Sequence, residues 1–115
     1  MSIPSDRQSE VPVTTVEHLA DDAVIVDIRE PNEWAAGHAP NAIHIPLGEL
    51  PSRLDELPDT DDTVGIVCRS GGRSSRAVAW LTQQGFDVAN VEGGMRAWQS
   101  AGKPLEGEHG DAFVL

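Results

Sequence analysis

The chain has 115 residues, 39% of them hydrophobic, and 19 acidic side chains against 8 basic ones give a formal net charge of −11. That length suits one compact domain with one core, and the charge argues against nucleic acid and anionic membrane as partners. No stretch approaches the ~20 apolar residues of a membrane span. The opening segment, residues 1–10, lacks the basic and apolar regions of a secretory signal, so a cytoplasmic location is expected.

Cysteine and lysine usage add to this. The single cysteine, Cys68, excludes an internal disulfide and fits a reducing compartment in which a free thiol stays available. Seven of the eight cations are arginine, and Lys103 is the only lysine. An acidic, lysine-poor surface suits a halophilic protein, whose self-repulsion is screened by concentrated salt. An ordinary acidic protein is an equal alternative.

In chain order, residues 1–10 are polar and aperiodic and read as a flexible start. Val11–Val13, with Pro12, reads as a short edge strand, and Thr15 as the cap of a brief helix through Leu19. Ala23–Asp27 is an apolar run ending in a charge, the pattern of a strand buried on both faces. Pro31 opens a short helical turn holding Glu33 and Trp34, closed by Gly37. Ala42–Ile45 is a third strand, stopped by Pro46. Leu47, Leu50, Leu54 and Leu57 follow at helical spacing, but Pro51 and Pro58 keep those helices short.

After an acidic loop at 59–62, Thr63–Val67 is another buried strand and delivers Cys68 at its C-terminal end. The segment 73–84 is the strongest helix, with Ala77, Val78, Trp80 and Leu81 as its apolar stripe and Gly85 at its end. Val88–Val91 is the last strand, and Gly93-Gly94 turns into a helix with Met95 and Trp98 that Gly102 ends. The segment 106–115 is a polar tail finishing in Phe113-Val114-Leu115, open between docking onto the body and staying loose. Four apolar runs with short crossovers imply an α/β fold, a parallel sheet with helices on both faces. Ligands bind such sheets beyond the carboxyl ends of the strands, where Cys68 lies.

Residues 68–74 read Cys-Arg-Ser-Gly-Gly-Arg-Ser, between a buried strand and the strongest helix. Gly71 and Gly72 let the backbone curl so that successive N–H groups face one concavity. With the helix dipole they form an anion cradle around the thiol. Arg69 and Arg73 add positive charge, and such surroundings lower a cysteine pKa. Ser70 and Ser74 complete the expected binding loop. An inert core cysteine needs neither two glycines nor two cations, so Cys68 reads as a nucleophile toward anionic substrates rather than as packing.

The chain here resembles the rhodanese family. The loop Cys68–Ser74 is similar to that family's active-site loop. The run from Asp27 and Arg29 through Glu33, Trp34, Gly37 and His38, continued by Asn41-Ala42 and Ile45-Pro46, resembles its first signature. Glu92-Gly93-Gly94 with Trp98, Gly102 and Pro104 resembles its last. The likeness covers roughly 11–105. It implies a central, mostly parallel five-stranded sheet with helices on both faces, and a sulfurtransferase carrying a persulfide on Cys68. It also implies a small anionic sulfur donor such as thiosulfate, and a thiol, cyanide or protein as sulfur acceptor. No cofactor is expected.

The upstream residues have physical readings of their own. Asp27 and Arg29 end a strand beside the one carrying Cys68, so a charge-assisted pair between them would brace the loop; Arg29 with Glu33 is an equal local alternative. Both pairings read as structural rather than catalytic. His38 is a base or, more in keeping with a histidine after glycine at a helix end, a loop fastener. His44 and His109 lack companions at metal-ligand spacing, so no metal site is expected. Trp34, Trp80 and Trp98 read as core and pocket wall.

Three function classes follow. The first is the sulfurtransferase. The second is a phosphatase or arsenate reductase built on a similar cradle; rhodanese-like phosphatases place five residues between Cys and Arg, whereas four (69–72) lie between Cys68 and Arg73, favouring a sulfur-sized pocket. The third is a non-catalytic binding module, a class that usually loses the cysteine this chain keeps.

Overall fold

The computed structural model describes residues 11–115, so the expectation for residues 1–10 lies outside the described part. Five strands form one sheet: β1 (Val13–Thr14), β2 (Ile25–Asp27), β3 (Ile43–His44), β4 (Val64–Val67) and β5 (Val88–Val91). Their order is β1-β5-β4-β2-β3, and every neighbouring pair is parallel. Two α-helices, α1 (Pro31–Ala36) and α2 (Gly72–Gln83), and three 3-10 turns (Val16–His18, Leu47–Ser52, Leu54–Glu56) supply the crossovers, and a third helix, α3 (Gly94–Ser100), follows the last strand.

The central strand β4 explains the two-sided core. Val64 and Ile66 face a cluster with Val26, Ile45, Leu50, Ala77, Val78 and Leu81, covered by α2 and the 3-10 turns. Val67 faces the other cluster, with Val16, Ile25, Val91, Met95 and Trp98, covered by α3. Gly65 is on this second side, and a Cβ there would already touch Val91 and Ile25 at 3.0 and 3.3 Å. A strand buried on both faces therefore reads as an unbroken apolar run.

Several elements are shorter than their sequence patterns suggest. Val24 is 49% exposed and precedes β2, because pairing with β4 begins only at Ile25 opposite Gly65. Edge strand β1 pairs through Val13 and Thr14, not Val11. The Thr15 side chain does not cap the backbone of its turn; its hydroxyl bonds the His18 ring at Nδ1, 2.9 Å away, and the helix stops at one 3-10 turn. The register places Asp27 beside Val67. The end of β2 thus lies next to the residue preceding Cys68, at the carboxyl edge of the sheet. No helix among the described residues is long and apolar enough to cross a membrane.

Candidate active site

Strand β4 ends at Val67 and α2 begins at Gly72, so four residues must reverse direction around Cys68. Gly71 does this at φ +114°, a left-handed conformation that favours glycine. The turn aims Gly71 N–H at Cys68 Sγ at 3.1 Å, with Ser74 N–H at 3.4 Å. From the other side α3 clamps the loop: Met95 N–H and Arg96 N–H donate to the carbonyls of Cys68 and Arg69 at 2.8 and 3.0 Å. A Cβ on Gly94 would fall 2.5 Å from the Cys68 carbonyl oxygen, so only glycine permits this approach. Cys68 is 1% exposed. Whatever reaches the sulfur must be narrow, such as a single terminal atom.

Burial pushes the Cys68 thiol up, but the Ser74 hydroxyl and the N–H groups of Ser74, Gly71 and Ser70 outweigh it and hold the thiol below its ordinary value. The anion is thus stabilised chiefly by a hydroxyl and amides, and of the two loop arginines only Arg73 adds a weaker electrostatic contribution. Ser74 Oγ lies 3.2 Å from Cys68 Sγ, 2.5 Å from Asn90 Oδ1 and 3.3 Å from the Gly71 carbonyl. The hydroxyl has a single proton, so it donates to one of these partners at a time, and toward Sγ either atom can be the donor. Asn90 Nδ2 also donates to the Gly71 carbonyl at 3.4 Å, so Asn90 orients the hydroxyl that faces the sulfur. Sequence reasoning missed Asn90, although an asparagine inside the apolar strand 88–91 was the available signal.

Ser74→Ala is expected to raise the thiol pKa. The midpoint of iodoacetamide alkylation should lie below the ordinary thiol value of ~8.5 in the wild type and move to higher pH in the variant. Because the thiolate is the reactive form, the variant loses rate at about pH 7 and regains it in alkali. Equal midpoints for the two proteins would remove the hydroxyl from this role.

The arginines diverge. Arg73 forms a two-pronged pair with Glu33 of α1, Nη1–Oε1 at 2.9 Å and Nη2–Oε2 at 3.0 Å. Hydrogen bonding to Arg73 holds the Glu33 carboxyl below the usual range despite its burial, and Glu33 raises Arg73 in return. Glu33 Oε1 also accepts the Glu30 N–H at 2.9 Å, which fixes it at the first turn of α1. Arg69 turns outward, its Nε donating to the Leu115 carbonyl at 2.8 Å.

Glu33 is therefore not the partner of Arg29. Arg29 binds Asp27 through Nε–Oδ1 at 2.9 Å and Nη2–Oδ2 at 2.7 Å, both side chains fully buried. Its Nη2 also reaches the Gly37 carbonyl at 2.7 Å. The pair joins the end of β2 to the end of α1 rather than touching the Cys68 loop directly. His38 has no contact with Cys68: its Nδ1 bonds the Trp34 carbonyl at 2.7 Å, its ring stacks on Trp34 at 3.6 Å, and its backbone bridges Glu106. The exposed Gly72 opens α2 without facing the sulfur. The tail lies across α1, with Phe113 N–H on the Ala36 carbonyl and Val114 N–H on Gln99 Oε1.

The model of the rhodanese-like domain family matches residues 12–101. The chain belongs to the rhodanese-like domain family. A sulfurtransferase from Allochromatium vinosum is 44% identical over 97 residues, covering 82% of this chain and 90% of that protein. The crystal structure of a rhodanese-related protein from Thermoplasma volcanium superposes with a TM-score of 0.74 at 34% identity, covering 83% of this chain and 97% of that one. A thiosulfate sulfurtransferase from Pseudomonas aeruginosa superposes with a TM-score of 0.75 at 28% identity, over 96% of this chain and 23% of that one.

Proposed function

We propose that this rhodanese-like domain moves sulfane sulfur from thiosulfate, or a donor of the same kind, to a thiophilic acceptor through a persulfide on Cys68. The carrying observation is the enclosed Cys68 sulfur facing the Gly71 and Ser74 N–H groups and the Ser74 hydroxyl. Such surroundings favour a thiolate. The Cys68 thiolate attacks the outer sulfur of thiosulfate. The sulfur–sulfur bond of the donor breaks, and sulfite leaves with the electron pair. The same amides then face the persulfide anion. An acceptor thiolate or cyanide attacks the outer sulfur next and releases the Cys68 thiolate. The near-complete enclosure of Cys68 fits a one-atom cargo better than a tetrahedral phosphoryl group.

Intact mass before and after thiosulfate tests the reading. An adduct of ~32 Da, one sulfur atom, is expected and should disappear on adding cyanide. Absence of the adduct, or hydrolysis of an aryl phosphate faster than thiosulfate turnover, would replace this reading with another.

The arginines are expected to differ in weight. Arg73 is half-buried and held by Glu33 beside the loop, so Arg73→Ala removes the nearest held positive charge and leaves Glu33 unpaired there, an expected loss of roughly ten- to hundredfold in kcat/KM, the size of one charge-assisted contact of ~1.5–3 kcal/mol. Arg69 is more exposed and tied to Leu115, so Arg69→Ala should cost only a few-fold. Thiosulfate kinetics of the two variants check the order.

A further inference from the structure

Among the described residues, positive charge without a carboxylate partner is concentrated at one pole. Among the described residues, Arg29, Arg53, Arg73 and Lys103 each pair with a carboxylate. Arg76 and Arg96 have no carboxylate partner there, and Arg69 bonds only the main-chain oxygen of the last residue, Leu115. Arg69 lies in the Cys68 loop, Arg76 on α2, which follows it, and Arg96 on α3, whose first N–H groups bond the loop carbonyls. The opposite pole, at the amino ends of β4 and β5, presents Asp55, Asp59, Asp62 and Asp87 around one groove.

A second groove, of about 290 Å³, lies on the cationic side. It is lined by Leu47, Leu50, Pro51, Arg76, Ala77 and Trp80. On α2 the residues Arg73, Arg76, Ala77 and Trp80 stand at helical spacing, so they form one stripe leading from the mouth of the Cys68 loop into the groove. Arg76 is exposed and Trp80 only half-buried. The groove is thus apolar, edged by an unpaired guanidinium, and about one helical turn from the half-buried Arg73.

We infer that this groove docks the sulfur acceptor, and that the acceptor is a protein thiol flanked by an apolar and an acidic side chain. The inference rests on the sulfurtransferase reading above. A small anion or cyanide needs no apolar groove beside the loop, whereas a protein chain delivering a cysteine to an enclosed sulfur must rest on the surrounding surface. The apolar side chain would enter between Leu47 and Trp80, and its carboxylate would meet Arg76. The overall charge of −11 by itself favours basic partners. Screening limits that field to ~10 Å at moderate salt, so within the groove the unpaired arginine dictates the preference.

Two synthetic cysteine peptides of equal length, both carrying a leucine, one with glutamates and one with lysines beside the cysteine, separate local from global charge. With persulfide-loaded full chain, the acidic peptide should take sulfur about tenfold faster. Arg76→Glu should remove or reverse that preference while turnover with cyanide changes less than twofold. A basic-peptide preference in the wild type, or an acidic preference that survives Arg76→Glu, overturns the docking site. The serine version of the acidic peptide needs no sulfur transfer; its binding, read by NMR shifts of the Trp80 indole, should weaken in Arg76→Glu. Binding of this peptide without any persulfide on Cys68 keeps the docking site and discards the transfer reading. No shift at Trp80 discards the docking site while cyanide turnover stands.

Discussion

Cys68→Ser is expected to abolish sulfur transfer, leaving less than a few per cent of wild-type turnover, in a protein that keeps its fold. Serine fits the space, since Cys68 belongs to the same buried cluster as Ile66 and Ala77 and the change replaces one small side chain with another of similar shape. The chemistry does not survive. The donors around Sγ, from Gly71, Ser74 and the Ser74 hydroxyl, can tip a thiol into its anion because its ordinary pKa is ~8.5. A hydroxyl titrates far too high for the same amides to ionise it at neutral pH, and it cannot form a persulfide. Circular dichroism should overlay on the wild type, while thiosulfate turnover and the sulfur adduct both vanish. Residual transfer above a few per cent in folded, uncontaminated protein would take Cys68 out of the role.

The buried strands and the turn after Cys68 were legible in the sequence because their signals are local. Unbroken apolar runs mark strands buried on two sides, as β4 is, and Gly71 marks the turn, whereas the close approach of α3 at Gly94 depends on a distant loop and was not read. What joins distant segments was not legible. Glu33 and Arg73 are separated by 40 positions, and nothing in either neighbourhood says that α1 lies beside the start of α2. Arg29 had two carboxylates within reach along the chain, Asp27 and Glu33. The choice depends on Arg29 pointing inward from the strand end while Glu33 points out toward α2. The course of the tail depends on the surface it crosses: a Cβ on Gly37 would strike the Phe113 backbone oxygen at 2.3 Å.

The other large effect concerns stability and falls on Asp27. Arg29 is fully buried, and its Nη1 has no hydrogen-bond partner among the described residues. Its hydrogen bonds go to Asp27 and the Gly37 carbonyl, and Glu33 is only a weaker electrostatic neighbour. Asp27→Ala strands a guanidinium in the interior, a change that typically costs ~3–5 kcal/mol. Against a usual total of ~5–15 kcal/mol this removes much of the stability. For a domain near this length it lowers Tm by roughly 4–8 °C per kcal/mol. The mechanism is the unpaired charge, not the lost attraction, so the double variant Asp27→Leu with Arg29→Met should recover most of the loss. Thermal melts of the single and double variants decide it. A single variant within about 1 kcal/mol of wild type would mean that water or a shifted carboxylate such as Glu33 takes over from Asp27. A double variant as unstable as the single one would mean that the tie to Gly37, which holds the end of α1 and with it Glu33 and Arg73, matters more than charge.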